Sequence, residues 1–403
     1  MKKIVLACIL TALLLCACTA DFSATESDLL PEELSKPQAF DIFAQQFSVT
    51  NCENADGGRI VGMRGLFGSF EAQTPTRVLF CYQTDSMNAG QLLAYDKADG
   101  TFSYACPDAL CSHESCLFGG SYKIFAGERH LFFLPLFGGD GKAQYYTCTD
   151  TNGNGLKQLS LTTDCELLCE TDAGLYYSHT VLDGETYKTS LWLYDFETDR
   201  SAKLTEDGEL WYFYVLDGTV YLHDSISLTL SVFSDDLTEK TVLSEGVTAV
   251  YPFDGALFLH DAPGGTIRKV RGGTVAPAYD VRGIEFGVWC VSGGYLYYTC
   301  RDDAFIESQK GDAKLHKYLS TYNLSCGRIY RKAEGQADAE PVYAGTHDGI
   351  PDQIQNFFAS GSTLFVEYRD YKSYKNNYNT ERRRTGITIA DAETGAFLDI
   401  PGR

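Results

Sequence analysis

The chain has 403 residues, with 54 aspartates and glutamates against 33 lysines and arginines, for a formal net charge of −21. A chain this acidic lacks the basic footprint that nucleic-acid phosphates need, and it is discouraged from lying flat on anionic lipid. Its 26 tyrosines and 24 phenylalanines fall in short runs with β-branched residues, separated by Gly, Asp and Asn, and helix-like periodicity is scarce, so the chain reads as all-β.

The first residues read as a targeting segment. Lys2 and Lys3 precede an apolar run from Ile4 to Leu15, shorter than the ~20 residues of a membrane-spanning helix. The run closes on Leu15-Cys16-Ala17-Cys18, which resembles the lipobox of bacterial lipoproteins. The resemblance implies removal of residues 1–17 as a lipoprotein signal peptide and a diacylated Cys18 as the new N-terminus. Cys16 is the alternative site, and an ordinary signal peptide with incidental cysteines is the competing reading. Residues 18–38, with Glu26, Asp28, Glu32 and Glu33, are polar and acidic, which suits a flexible tether. Residues 39–403 are then expected to form one folded domain. No later stretch is apolar enough to cross a bilayer, so the expected location is the extracellular face of the cell membrane, held by lipid.

The domain repeats one pattern, clearest at 174–206: a Gly, an aromatic strand, a loop, a strand closing on Tyr194-Asp195, an acidic turn and a further strand. Aligned on the glycine, copies begin at Gly127, Gly174, Gly218, Gly255, Gly294 and Gly361, and an earlier copy has Arg77-Val78-Leu79-Phe80 as its strand. Asp/Asn/Gly clusters at 95–100, 149–155, 194–199, 234–239, 331–335 and 390–395 follow the third strand of six units, and supply hairpin chemistry and local side-chain caps. Units of roughly 40 residues with four strands are blade-sized, so the expectation is an all-β, seven-bladed β-propeller. Its approximate blades are 57–117, 118–162, 163–206, 207–245, 246–281, 282–345 and 346–401. Six or eight blades remain alternatives, because residues 39–72 do not parse cleanly. The WD dipeptide, kelch and sialidase-type patterns are absent. With its lipobox, tether and aromatic-Asp repeats, the chain resembles the β-propeller lipoproteins of Gram-positive anaerobic bacteria, broadly akin to TolB-like propellers. That resemblance implies a fold and a cell-surface location, and it brings no agreed activity.

Several side-chain groups could carry chemistry. Cys106, Cys111, His113 and Cys116 could supply the four ligands of a structural zinc site. A disulfide within the loop and reduced, packed thiols are the competing readings. An odd number of cysteines follows Cys18, so at least one cannot pair within the chain. Cys81, Cys148, Cys165, Cys169 and Cys290 fall inside strands and read as core. Cys300 and Cys326 flank an insertion at 301–325 and could staple it. His179, His223 and His260 share the fifth position after the repeat glycine. Neighbouring sheets lie about 10 Å apart, too far for one metal ion, so these histidines read as strand-ending residues bonded to adjacent loops. Asp150, Asn152, Asn154 and Gly155 match the opening of a calcium loop, but Leu161 stands where its bidentate Glu belongs, which leaves a hairpin.

Two insertions, 301–325 and about 369–385, fall between second and third strands, on the face where one blade joins the next. They bring Lys310, Lys314, His316 and Lys317, then Tyr371, Lys372, Tyr374, Lys375, Arg382, Arg383 and Arg384, with Tyr318, Tyr322 and Tyr378. Basic and aromatic side chains side by side suit sugar rings or carboxylates. The expected function is a binding module for a glycan, peptide or partner protein. The alternatives are an extracellular glycoside hydrolase or lyase, with carboxylates converging on the central channel, and a structural propeller of envelope assembly. Among 54 acids none stands out as catalytic, and solvated loops with no specific role remain the bland reading of both insertions.

Overall fold

A computed structural model describes residues 71–401 apart from 75, 84–89, 109, 112–121, 136–143, 261–264, 322, 324, 348 and 375–379. The two ends of the chain, with the signal peptide, Cys18 and the tether, lie outside the described residues.

The described chain folds into seven antiparallel sheets, each of four strands consecutive in sequence, the third joined by one further short strand. They span 71–104, 122–162, 165–203, 211–245, 249–280, 286–344 and 353–401. First strands lie against one another between blades one and two, three and four, five and six, and six and seven, which places the first strands on the inner ring. This is a seven-bladed β-propeller, with blades where the repeat placed them.

The ring is held by buried clusters at its junctions. Phe125, Tyr146 and Leu159 of blade two pack with Leu167, Leu175 and Tyr194 of blade three, and equivalent clusters fill the other junctions. Blade seven meets blade one in the same way. Phe365 and Ile389 pack with Val78, Leu93 and Tyr95, with the Tyr95 and Phe365 rings edge-to-face at 5.2 Å. Among the described residues, side-chain packing closes the ring, and the last blade completes its sheet without a strand from the N-terminus. A sheet with one exposed face would show alternating apolar and polar positions. Here both faces of each blade meet another blade, which explains near-continuous runs such as Ala256-Leu257-Phe258-Leu259.

The repeat residues have local physical reasons. At the end of the third strand, the carboxylates of Asp96, Asp150, Asp195 and Asp391 accept the backbone N–H two residues on, from Ala98, Asn152, Glu197 and Glu393, at 2.8–2.9 Å. Asp150 also accepts the Asn154 N–H, so its loop is the hairpin expected. Between first and second strands, Asp217-Gly218 and Asp254-Gly255 turn with positive φ at both central residues, the two-residue hairpin for which Asp-Gly is suited. Gly127 is different: a methyl there would run into the Glu170 side chain of the next blade.

At four junctions a tyrosine hydroxyl bolts a blade to its successor. Tyr146 donates to the Cys165 carbonyl at 3.0 Å, Tyr214 to Val250 at 3.2 Å, Tyr279 to Gly294 at 3.2 Å and Tyr297 to Gly361 at 3.3 Å. Tyr146→Phe keeps the ring packing and leaves a buried carbonyl short of its donor. The expected cost is about 1–2 kcal/mol, read as a lower denaturant midpoint with an unchanged slope. An unchanged midpoint would mean that the bond contributes nothing net.

Candidate functional site

In each blade the second-to-third connection and the passage to the next blade open on one face. On that face lie Cys106 and Cys111, the hairpin tip of blade three and the insertions of blades six and seven.

Cys106 is half-buried against the cluster between blades one and two. The Asp108 carboxylate accepts the Leu110 N–H at 2.9 Å, and the Asp108 carbonyl accepts the Cys111 N–H at 3.1 Å, which turns the chain here. Cys106 and Cys111 are both half-buried, and His113 and Cys116 lie outside the described residues. Among the described residues no group of three or more His, Cys, Asp or Glu is placed to hold a metal ion.

The three histidines separate. His223 is buried, with Nε2 3.0 Å from the Val247 carbonyl of the adjoining loop, as expected. His260 ends its strand, and its carbonyl accepts the Thr248 hydroxyl at 2.6 Å. His179 departs from expectation: its strand runs on to Asp183, and its ring sits edge-on to Trp192 at 6.0 Å. The cause is a hairpin in blade three that outgrows the others, steadied by the short strand Gly208–Glu209 against Lys188 and Thr189.

The blade-six insertion is not a loop. It holds two helices, α1 (Asp303–Ser308) and α2 (Ala313–Thr321). Asp302 caps α1 by accepting the Phe305 N–H at 2.9 Å, and Asp312 caps α2 through the Lys314 and Leu315 N–H groups at 3.0 Å. Leu315, Tyr318 and Leu319 recur at helical spacing and, with Ile306, Cys326 and Ile350, form a cluster of their own. Tyr318, expected to face a ligand, is 3% exposed and belongs to that cluster.

This unit is fastened to the propeller at two points. Asn323, 1% exposed, donates from Nδ2 to the Pro351 carbonyl at 3.0 Å and the Asp352 carbonyl at 2.8 Å, while its Oδ1 accepts from Ser325 at 2.9 Å. Asp302 accepts from Arg328 Nη1 at 3.0 Å and from the Tyr330 hydroxyl, and the Arg328 guanidinium lies 3.8 Å over the Phe305 ring. Burial alone would raise the Asp302 pKa, but these donors outweigh it and hold the carboxyl below its usual range. Burial, reinforced by Asp302, pushes the Tyr330 hydroxyl up to about 12. Cys300 is half-buried and Cys326 buried, close enough to influence each other electrostatically. Burial leads in pushing them up to about 11 and about 12.

The cations of the insertion are partly engaged within it. Lys310 pairs with Glu307, His316 Nε2 lies 3.7 Å from Glu307 Oε1, and Arg301 Nε pairs with Asp303 at 2.6 Å. Lys314 is exposed and Lys317 half-buried. The blade-seven insertion is also not a loop. Strands Thr363–Tyr374 and Thr380–Asp391 run on as a ribbon, pairing Asp370 with Arg384 and Tyr371 with Arg382. Lys372, Tyr374 and Arg383 lie in those strands, and Lys375 falls outside the described residues. Asp302, Asp312 and the Leu315/Tyr318/Leu319 spacing were the sequence signals for the helices. The ribbon's basic residues masked its alternation.

No family model matches the chain, and no curated protein sequence matches it. Solved structures do. The β-propeller domain of the Trilobed protease from Pyrococcus furiosus is 12% identical with a TM-score of 0.48, over 82% of this chain and 96% of that one. Pyrococcus horikoshii acylaminoacyl peptidase is 11% identical with a TM-score of 0.49, over 83% of this chain, which spans about half (52%) of that protein. Oligogalacturonate lyase from Vibrio parahaemolyticus is 10% identical with a TM-score of 0.44, over 89% of this chain and 95% of that one. At such identity the likeness concerns the propeller fold alone.

Proposed function

We propose that this protein is a propeller held at a cell surface by lipid on Cys18, and that it works as a binding module for a glycan, peptide or partner protein. Its binding face carries the helical insertion of blade six and the ribbon of blade seven. One observation carries this reading: the insertion is a packed unit with its own buried cluster and the Asn323 and Asp302 fastenings, where a connection needs only a turn. Ordering these residues costs conformational entropy, and the exposed side of α2 is what the fold gains for it.

The test is a glycan and peptide array probed with the purified protein, its Lys314→Glu variant, and Asp172→Lys on the opposite face, where Asp172 is fully exposed. Saturable binding that Lys314→Glu weakens about tenfold and Asp172→Lys leaves intact is the expected result. Equal effects from both substitutions, or an array without saturable binding, would overturn the reading.

A further inference from the structure

The hairpin tip of blade three continues into a second feature of the same face, remote in sequence from the insertions. Leu182 and Tyr187 stand directly opposite each other in the hairpin. Leu210 adjoins them, its N–H reaching the Tyr187 carbonyl at 3.4 Å. The Leu210 carbonyl in turn accepts from the N–H and hydroxyl of Ser225, at 3.4 and 3.1 Å, which brings in Ile226. Leu182, Tyr187, Leu210 and Ile226 therefore form one row from blade three to blade four. They are 61, 58, 41 and 58% exposed, and a buried apolar role explains none of them.

The backbone is strained at the same place. Leu210 has φ of 52°, a left-handed conformation that glycine or asparagine adopts at less cost. Behind it, Gly208 lies so close beneath the Trp211 ring that a methyl there would collide with it. The segment 208–211 thus holds a leucine outward in a conformation leucine does not favour.

The surroundings decide what could cover the row. Asp183, Glu185, Asp207 and Glu209 border it. Lys188 is paired with Asp183 at 2.5 Å and Lys203 with Asp207 at 2.7 Å, so acids outnumber bases on this rim. In a chain of net charge −21, a second copy would bring like charge to like. We infer that the row Leu182–Tyr187–Leu210–Ile226 is a docking surface for a polypeptide segment bearing apolar side chains flanked by lysine or arginine. Apolar anchors cover the row, and the flanking cations meet the Glu185 and Glu209 side of the rim.

The test uses the purified full chain and three short labelled peptides, followed by fluorescence anisotropy. One has a leucine-phenylalanine core flanked by lysines, the second replaces those lysines by glutamates, and the third keeps the lysines around a serine core. The first is expected to bind saturably, with weaker binding as salt rises and about tenfold weaker binding to the double variant Leu182→Ser/Tyr187→Ser. Leu210→Asn, which suits the left-handed backbone, is a second variant that keeps the fold and is expected to weaken binding likewise. Equal binding of the serine-core peptide would reduce the interaction to charge alone and overturn the inference. So would equal binding of the glutamate peptide, or indifference to both variants. A dimer in sedimentation velocity that Tyr187→Ser dissolves would assign the row to a second copy and overturn it as well.

Discussion

Replacing Glu170 by alanine is expected to lower the stability of the propeller by about 3–5 kcal/mol, the cost of breaking a buried charged network. Its side chain has no exposure although it ends the inner strand of blade three. The carboxylate accepts the backbone N–H groups of Arg129 and His130 at 2.9 and 3.1 Å and lies 2.5 Å from His130 Nδ1 and 3.4 Å from Arg129 Nε. These donors sit in the first hairpin turn of blade two, so one side chain satisfies a turn of the neighbouring blade. Alanine leaves those amides without their acceptor and opens a gap that no water-accessible group fills. The same fit makes Gly127 obligatory, because any side chain there displaces the carboxylate.

The pH dependence has a definite sign. Burial pulls the Glu170 pKa upward, but the His130 and Arg129 donors outweigh it and hold it below the ordinary glutamate value. The unfolded chain therefore binds this proton more readily than the folded one. The contribution is complete above the unfolded glutamate pKa and is lost as pH falls through the lower folded value. Urea midpoints measured from about pH 6 down to pH 3 should fall for the natural chain and fall less steeply for Glu170→Gln. Identical slopes would show that Glu170 is not the group being protonated.

The second large effect is local. Asn323→Leu keeps the size of the side chain and deletes both donors, leaving the Pro351 and Asp352 carbonyls and the Ser325 hydroxyl without their partner. Each buried group left in this way costs about 1–3 kcal/mol. The fastening joins the end of α2 to the approach to blade seven, so the loss should release the helical unit before the propeller. Amide exchange in Ala313–Thr321 is expected to quicken about 30- to 1000-fold, while amides of blades two to five keep their protection. Slow exchange in α2 after this substitution would place the fastening elsewhere, at Asp302 and Arg328.

These two residues mark where sequence reasoning stops. The repeat was legible because most copies carry local causes: an Asp that caps the third-strand hairpin, a turn glycine, and an aromatic strand that must be buried on both sides. Those local signals point to seven units in order along the chain, with six or eight blades left as alternatives that the structure removed. The ribbon of blade seven and the helices of blade six were harder, since their basic residues and short length hid the alternation and the 3.6-residue spacing. Glu170 carries no local signal at all, being one acid among 54. Its role exists only because the curvature of the ring brings the turn of blade two over the inner strand of blade three. The same holds for Asn323 over Pro351, and for Leu182, Tyr187, Leu210 and Ile226, which are scattered in sequence and meet only across two blades. Local interactions, fixed by neighbours along the chain, can be read from the sequence. Contacts between blades depend on how the sheets pack around the axis, and only the tertiary structure decided them.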